Sequence, residues 1–254
     1  MKNDTVLSMR GISKSFPGVR ALHNVDFTLC EGEIHALMGE NGAGKSTLVK
    51  VLTGVYQKDT GKINIAGTDK ELRIKSPQDA QNAGISTVYQ EITLCPNLTV
   101  AENIFIGRGN YRFINWRSQE KRAEEILTKL KIPTSATRQL GTCSLAVQQM
   151  VAVARAVDME CKVLILDEPT SSLDEQEVAL LFSLMRDLKA RGVGIIFITH
   201  FLEQVYEVCD RITVLRNGEL VGAYDISELP RVELISKMMG KELEEISELQ
   251  HQKK

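Results

Sequence analysis

A nine-residue stretch at positions 39–47, reading GENGAGKST, constrains this chain more than any other segment. It fits the pattern of a glycine, four residues and then Gly-Lys-Ser or Gly-Lys-Thr, in which backbone N–H groups surround a polyphosphate. Residues 33–38 form an apolar run typical of a strand, and residues 47–52 continue with the pattern of a helix. A glycine-rich turn that contains Lys-Ser is the alternative, but the order of strand, loop and helix favours a phosphate-binding loop.

The loop predicts chemical roles for its own residues. Glycines permit a close backbone approach because they lack a Cβ atom and accept positive φ. A helix that begins near Lys45 directs its unpaired N–H groups and its positive dipole end at the same anion. Lys45 adds a charge for the outer phosphates, and the Ser46 hydroxyl can ligate Mg²⁺. The predicted ligand is a nucleoside triphosphate, held by Gly39, Glu40, Asn41, Gly42, Ala43, Gly44, Lys45, Ser46 and Thr47.

Composition is that of an ordinary globular protein. The 254 residues are 43% hydrophobic and 25% charged, which suits one large α/β domain or two small ones. The net charge of -2 argues against a dedicated nucleic-acid binder, which is usually basic. No apolar run approaches the roughly 18 residues that span a bilayer, and residues 1–9 lack a secretory core. We therefore expect a cytosolic chain whose membrane role comes through a partner.

The cysteines are scattered, odd in number and form no Cys-x-x-Cys pair. This pattern predicts reduced thiols rather than a disulfide framework or a zinc site. The five cysteines are Cys30, Cys95, Cys143, Cys161 and Cys209.

The order of the strand-like segments predicts an α/β fold with a mixed or parallel central sheet. Closely spaced runs at 6–9, 21–29 and 33–38 indicate antiparallel strands beside the strand of the phosphate-binding loop. Continuous apolar runs at 162–166 and 193–199 are typical of buried parallel strands.

Between these sheet segments the pattern changes to helices. Residues 91–159 are expected to form a mostly helical lobe inserted into the sheet-based domain. We expect a nucleotide-binding domain over residues 1–240 and a charged C-terminal tail over residues 241–254.

Two acids follow the apolar run at 162–166. Hydrolysis of a bound triphosphate requires a carboxylate for the metal and a group that activates or orients water. Because ligands collect at the carboxyl ends of parallel strands, Asp167 fits the metal-linked carboxylate and Glu168 fits a general base. The alternative is that Asp-Glu-Pro only opens a loop, but the phosphate-binding loop upstream favours the catalytic interpretation.

Three further residues end strand-like runs. His200 can donate a hydrogen bond to a γ-phosphate, although a lone histidine is usually structural. Gln90 can contact the metal or the attacking water. Phe16 can offer a stacking surface to adenine, although a phenylalanine is more commonly part of the core. The pattern alone assigns none of the three.

Taken together, the motifs resemble the ATP-binding domain of ABC transporters. The resemblance covers essentially the whole chain and includes GENGAGKST, Gln90 within STVYQE, LDEPTSSLD at 166–174 and ITHFLEQV at 198–205. Five further segments are similar to the bacterial sugar importers of the ribose and galactose type: SFPGVRAL, LTGVY, LTVAENIFIGR, QQMVAVARA and DRITVLRNGE. The resemblance implies a P-loop nucleoside triphosphatase with a mixed or parallel sheet, an N-terminal antiparallel β subdomain and an inserted helical subdomain.

The resemblance also implies a ligand at each matching position. Phe16 would stack on adenine, and residues 39–47 would hold the phosphates of ATP. Ser46, Gln90 and Asp167 would attend the Mg²⁺ ion.

Catalytic and assembly roles follow in the same way. Glu168 would be the catalytic base, assisted by Gln90 and by His200 as the sensor of the γ-phosphate. Residues 171–174 would meet a second ATPase domain, of the same or another chain, and Ser144 would contact ATP bound by that domain. The helical lobe would hold transmembrane permease subunits. A sugar-binding protein outside the membrane would deliver the sugar to these subunits.

The chain departs from the family pattern in two ways. The place of LSGGQ is taken by CSLAV at 143–147, so that Ser144 remains while Leu145 and Ala146 bring side chains where bare backbone is expected. Members of the sugar-import branch usually carry two ATPase halves in one chain. This chain is then expected to be a truncated or split product, a self-pairing half, or a half that pairs with a separate domain.

The sequence is interpreted as the ATPase of a bacterial importer for a sugar of the ribose, galactose or galactofuranose class. It would lie peripherally on the cytoplasmic side of the inner membrane and would not bind nucleic acid. One rival is a soluble ABC ATPase of translation or repair, but the chain lacks the sustained heptads of a coiled-coil insertion. The other rival is a non-hydrolysing regulatory module, suggested by the altered segment at 143–147.

Overall fold

Two sheets organise the residues described by the computed structural model, which are 4–66, 71–89, 94–107 and 115–240. The strands are β1 (Thr5–Phe16), β2 (Val19–Cys30), β3 (Ile34–Met38), β4 (Thr60–Ile65), β5 (Ile85–Val88), β6 (Val163–Asp167), β7 (Gly194–Ile198), β8 (Arg211–Arg216) and β9 (Glu219–Asp225). The helices are α1 (Lys45–Leu52), α2 (Pro77–Asn82), α3 (Val100–Phe105), α4 (Trp116–Lys129), α5 (Leu145–Asp158), α6 (Glu175–Ala190), α7 (Leu202–Val208) and α8 (Arg231–Met239).

The larger sheet is mixed, as the sequence predicts. Its six strands run in the order β5-β6-β7-β3-β8-β9, and all neighbours are parallel except β8 and β9. The strand before the phosphate-binding loop, β3, is therefore central in this sheet. The smaller sheet is antiparallel with the order β2-β1-β4, and it forms the expected antiparallel β subdomain. The two sheets share no strand, so β1 and β2 do not pair with β3.

Alternating side chains of the central strands supply two separate cores. On β6, Leu164 and Leu166 join one buried cluster, whereas Val163 and Ile165 join the other. This follows from the strand repeat of two, which sends successive side chains to opposite faces. The second cluster also includes buried side chains of β1, β2, β4 and α1, so it lies between the two sheets. A strand that is buried on both faces is mostly apolar, which explains the continuous apolar run at 163–166.

The helical segments pack on the other face of the large sheet. Buried residues of α3, α4 and α5 belong to the same cluster as those of β3, β6, β7 and α6. Phe182 of α6 meets Phe197 of β7 edge to face, with ring centroids 6.0 Å apart. The inserted helices therefore share their core with the sheet, while the domain bounds 1–240 and 91–159 stay a prediction.

Several local signals of the sequence are confirmed. Asp174 and Glu177 form a reciprocal capping box at the start of α6, and Ser144 is the N-cap of α5. All five cysteines are free thiols. Within the four described segments, no helix combines the length and apolar character needed to cross a membrane.

Candidate functional site

The N-terminus of α1 is open to an anion. Gly44 caps the helix with a φ of 105°, no side chain caps it, and its first turn contains no acidic residue. The first N–H groups of a helix have no partner within it, and they carry the positive end of the dipole. The first turn of α1 therefore presents main-chain donors without an acidic side chain of its own, which is an arrangement that suits phosphate.

Two glycines of the loop are required by neighbouring backbone. A Cβ atom on Gly39 would collide with the Leu215 carbonyl oxygen, and one on Gly44 would lie 2.9 Å from the Ala21 carbonyl oxygen. Gly42, with a φ of 82°, faces open space, so its side is free for a ligand. The glycines thus serve two purposes, which are close packing of the loop and an open face at Gly42.

Lys45 is held inside the loop by main-chain oxygens. Its Nζ atom donates to the carbonyl oxygens of Gly39, at 2.6 Å, and Glu40, at 3.0 Å. Burial lowers the pKa of Lys45, and the charges of Glu168 and Asp167 oppose that change. The ammonium group is therefore fixed in place and coupled electrostatically to both acids.

The two acids stand where the sequence predicts. Asp167 is the last residue of β6, and burial together with the Glu168 charge raises its pKa, against the effect of Lys45. Glu168 adopts a left-handed φ of 49°, and its N–H donates to the Ile198 carbonyl oxygen at 2.9 Å. A left-handed glutamate is strained, and such strain is common where a side chain is held for chemistry.

Two clefts meet at Lys45. The first, which we call the loop cleft, has a volume of about 570 Å³ and extends from Phe16 along the loop to the acids. The second, the His200 cleft, has a volume of about 460 Å³. The two clefts share Asn41, Lys45 and Glu168. The lining of the loop cleft comprises Phe16, Val19, Arg20, Ala21, Asn41, Gly42, Ala43, Gly44, Lys45, Ser46, Thr47, Asp167, Glu168, Ile198 and Asn217.

His200 approaches Glu168 from the next strand. Its Nδ1 atom lies 3.7 Å from Oε2 of Glu168, and its ring contacts the Phe201 ring at a tilt of 39°, with centroids 4.0 Å apart. The imidazole is mostly exposed, so it is available to a ligand in the His200 cleft.

Phe16 lines the far end of the loop cleft. The ring is half-buried and meets Tyr56 edge to face, with centroids 5.1 Å apart. The Lys14 ammonium lies 5.5 Å from the centroid of the Phe16 ring. The position suits a stacking surface, and the role of Phe16 stays a prediction.

Ser144 stands apart from these residues. It is exposed, its side chain accepts from the Val147 N–H at 3.4 Å, and it lines neither of the two clefts. The altered segment differs from the sequence-based expectation in one respect. Leu145 is 46% exposed, but the side chain of Ala146 is buried in the core. Only Leu145 therefore places a side chain on the surface where bare backbone was expected.

The donor set for a metal is small. Within the described segments, no three histidine, cysteine, aspartate or glutamate side chains form a cluster that could hold a metal ion. Ser46 and Asp167 line the loop cleft together, and Gln90 lies outside the described residues. Magnesium usually takes one or two protein oxygens and completes its shell with water and phosphate, so this set fits Mg²⁺ carried by a nucleotide.

Several cleft residues were assigned no role from the sequence, and three of them are polar or lie far from the motifs. Arg20 and Asn217 line the loop cleft, and Met238 of α8 lines the His200 cleft. Asn217 lies in the segment DRITVLRNGE and was interpreted only as part of an Asn-Gly turn. Arg20 lies in the segment SFPGVRAL, where it was given no role, and Met238 lies in none of the segments that carry the resemblance. The folded chain brings both residues to the clefts.

Comparison with known proteins identifies relatives of the whole described region. The profile of the ABC transporter family matches residues 22–171. The galactofuranose transporter ATP-binding protein YtfR of Escherichia coli (strain K12) is 54% identical over 245 residues, which cover 96% of this chain and 49% of that protein. The fructose import ATP-binding protein FruK of Bifidobacterium longum is 49% identical over 252 residues, covering 98% of this chain and 48% of that protein.

A solved structure has the same architecture. The ADP conformation of MJ1267, an ATP-binding cassette of an ABC transporter, superposes with a TM-score of 0.80 at 25% identity, and the match covers 96% of this chain and 98% of that one. The chain spans about half the length of the curated relatives it matches.

Proposed function

Since the chain belongs to the ABC transporter family, we propose that it binds ATP with Mg²⁺ and hydrolyses ATP to drive the uptake of a sugar through membrane permease subunits. The observation that carries this proposal is the convergence of Lys45, Asp167 and Glu168 in one cleft at the open N-terminus of α1. A cation, a metal-linked carboxylate and a candidate base are the groups that phosphoryl transfer to water needs.

Binding begins at the loop. The α- and β-phosphates accept from main-chain N–H groups at the start of α1, and the γ-phosphate is nearest to Lys45. Lys45 is partly desolvated and, among the described residues, it donates to carbonyl oxygens alone, so a phosphate oxygen can replace these acceptors with little rearrangement of the side chain. When Mg²⁺ accompanies the nucleotide, it neutralises phosphate charge, and Ser46, Asp167 and Gln90 would hold it.

Hydrolysis then requires an oriented water. The Glu168 carboxylate accepts a proton from the water while the water oxygen attacks the γ-phosphorus atom. The bond between the γ-phosphorus atom and the bridging oxygen of the β-phosphate breaks, and ADP leaves with that oxygen. His200 lies next to this carboxylate and can donate to a γ-phosphate oxygen, which links the presence of that phosphate to the position of β7.

The transported sugar and the partners are inferred from relatives. The relatives named above are a galactofuranose transporter ATP-binding protein and a fructose import ATP-binding protein. We infer a second ATPase domain, permease subunits and a sugar-binding protein as partners, with this chain peripheral on the cytoplasmic side of the membrane. Ser144 would reach the ATP held by the second domain.

The test uses two substitutions in the same cleft. Lys45→Ala should abolish ATP binding, whereas Glu168→Gln should keep ATP binding but reduce phosphate release by at least about 10²-fold. Lys62→Ala, an exposed lysine on β4, is the matched control and should behave as the parent. Parent-like hydrolysis by Glu168→Gln would show that Glu168 is not the base.

A non-hydrolysing regulatory module is the second candidate. It is favoured by the exposed side chain of Leu145 in the segment that would face the ATP of the second domain. The two candidates separate when the chain is supplied with its permease subunits. Sustained phosphate release stimulated by a loaded sugar-binding protein supports the importer, whereas ATP binding without turnover supports the regulatory module.

A further inference from the structure

Arg20 is a cation in the loop cleft to which the sequence motifs assign no role. It is the second residue of β2, its side chain is exposed, and it lines the cleft together with Phe16 and the phosphate-binding loop. Within the described part of the chain, its guanidinium group forms no ion pair and no hydrogen bond with another residue. An arginine without a protein partner in a ligand cleft is available for the ligand.

The position of Arg20 along the cleft is set by the β1–β2 hairpin. In this hairpin Phe16 pairs with Val19, and Ser15 pairs with Arg20. Arg20 is therefore the residue next to the one that pairs with Phe16. The next residue, Ala21, contacts the loop, because a Cβ atom on Gly44 would lie 2.9 Å from the Ala21 carbonyl oxygen. Arg20 thus stands between the aromatic end of the cleft and its phosphate end.

Backbone contacts hold this position relative to the loop. The Gly218 N–H donates to the Ala43 carbonyl oxygen at 3.1 Å, and the His23 N–H donates to the Gly218 carbonyl oxygen at 2.8 Å. Gly218 in the β8–β9 turn is therefore hydrogen-bonded both to the phosphate-binding loop and to β2. The base of the Arg20 side chain cannot move far from the loop without breaking these bonds.

The covalent order of a nucleotide then identifies the group that Arg20 meets. With the base on Phe16 and the phosphates along the loop, the ribose and the α-phosphate are the groups on the side of the loop that faces Phe16. Of these two groups only the α-phosphate is charged, and a guanidinium group binds phosphate oxygens with two parallel donors.

We propose that Arg20 is a further nucleotide-binding residue, which binds the α-phosphate. The inference rests on the proposed function, since it requires that a nucleotide occupies the loop cleft. Arg20 would be a second cation in the loop cleft, on the side near Phe16, whereas Lys45 lies near the two acids. Recognition at the α-phosphate is independent of the base and of the γ-phosphate.

The experiment measures the affinity of purified chain for ATP, ADP and GTP by calorimetric titration. Arg20→Ala should weaken all three by a similar factor of about fivefold to tenfold, and Arg20→Lys should restore part of the loss. Arg10→Ala is the matched control, because Arg10 is an exposed arginine of the same sheet that pairs with Asp26 at 3.4 Å outside the cleft. Circular dichroism of each variant verifies the fold.

Each other outcome overturns the inference. Unchanged affinities would show that Arg20 does not contact the nucleotide. A loss for ATP without a loss for ADP would place Arg20 at the γ-phosphate, and a loss that depends on the base would place it at the base. If the parent chain binds none of the three nucleotides, the proposed function fails first, so the two failures are distinguishable.

Discussion

The Nδ1 atom of His200 lies 3.7 Å from Oε2 of Glu168, in a cleft that Lys45 also lines. The two side chains follow from the adjacent parallel strands β6 and β7, where Asp167 pairs with Ile198. Both are partly exposed, so a γ-phosphate and its attacking water can contact them at the same time. This relationship makes His200 a candidate for stabilising charge during turnover rather than for binding alone.

We predict that His200→Ala slows turnover far more than it weakens ATP binding. Loss of one donor to the charged phosphoryl group should reduce kcat by about 10²-fold to 10³-fold, while ATP affinity changes little. His23→Ala is the control, because His23 pairs with Glu219 and lines neither cleft. Phosphate release and ATP titration measure the two quantities, and an equal loss in both would contradict a role specific to turnover.

Asp167→Asn should raise the Mg²⁺ concentration needed for half-maximal turnover. The substitution removes the charge of the carboxylate that ends β6 and lines the loop cleft with Ser46, and Mg²⁺ prefers anionic oxygen ligands. A magnesium titration of phosphate release gives the shift. Asp187→Asn on α6, where Asp187 pairs with Lys131, should leave the curve unchanged. An Asp167→Asn curve identical to that of the parent would remove Asp167 from the metal site.

Phe16→Ala should lower the affinity for ATP by about tenfold, because stacking of a base on an aromatic ring contributes about 1–3 kcal/mol. Phe16→Tyr preserves the ring and should retain most of the affinity. The Phe16 ring is half-buried and contacts Tyr56 edge to face, so a thermal melt should confirm that the alanine variant folds. Parent affinity in a folded Phe16→Ala chain would show that the base lies elsewhere.

Glu33 should make folding stability depend on pH. Burial alone would raise its pKa, but bonds from His35, from the Cys30 N–H and the nearby charge of Arg211 outweigh burial and lower the pKa below 4.5. A carboxylate with a lowered pKa in the folded state stabilises the fold above 4.5, and this contribution is lost as the pH falls through the folded pKa.

Glu33→Gln should therefore unfold at lower denaturant concentration than the parent at pH 7, and the difference should shrink under acidic conditions. Denaturant titrations at neutral pH and below pH 4.5 provide the comparison. Glu125→Gln, an exposed glutamate of α4, is the control and should follow the parent at both pH values. A difference that stays constant with pH would contradict the assigned pKa direction.

Much of the fold was predictable from local patterns. The continuous apolar run at 162–166 indicated a strand buried on both faces, and β6 does supply both cores. The motif at 39–47 placed the start of α1 at Lys45, where the structure has it. These predictions succeed because periodicity and turn chemistry are properties of neighbours along the chain.

Other features depended on contacts that the sequence does not display. The strand-like runs of the first forty residues did not reveal that β1 and β2 pair with β4 in a sheet of their own. Leu145 and Ala146 were both expected to place side chains on the surface. Adjacent helical residues point in different directions, and here the Leu145 side chain is exposed while that of Ala146 is buried. Whether a side chain is buried depends on what packs against its helix, and that partner lies elsewhere in the chain.

The sequence by itself determined the phosphate-binding loop, the acids after an apolar strand and the alternation of strands and helices, because each is encoded within a short segment. Only the tertiary structure decided that Arg20 shares a cleft with Phe16 and Asn217, and that His200 stands beside Glu168. These groups are brought together by strand order and by backbone bonds between distant segments. Such bonds use the N–H and carbonyl groups that all non-proline residues have in common, so the types of the residues do not predict which of them pair.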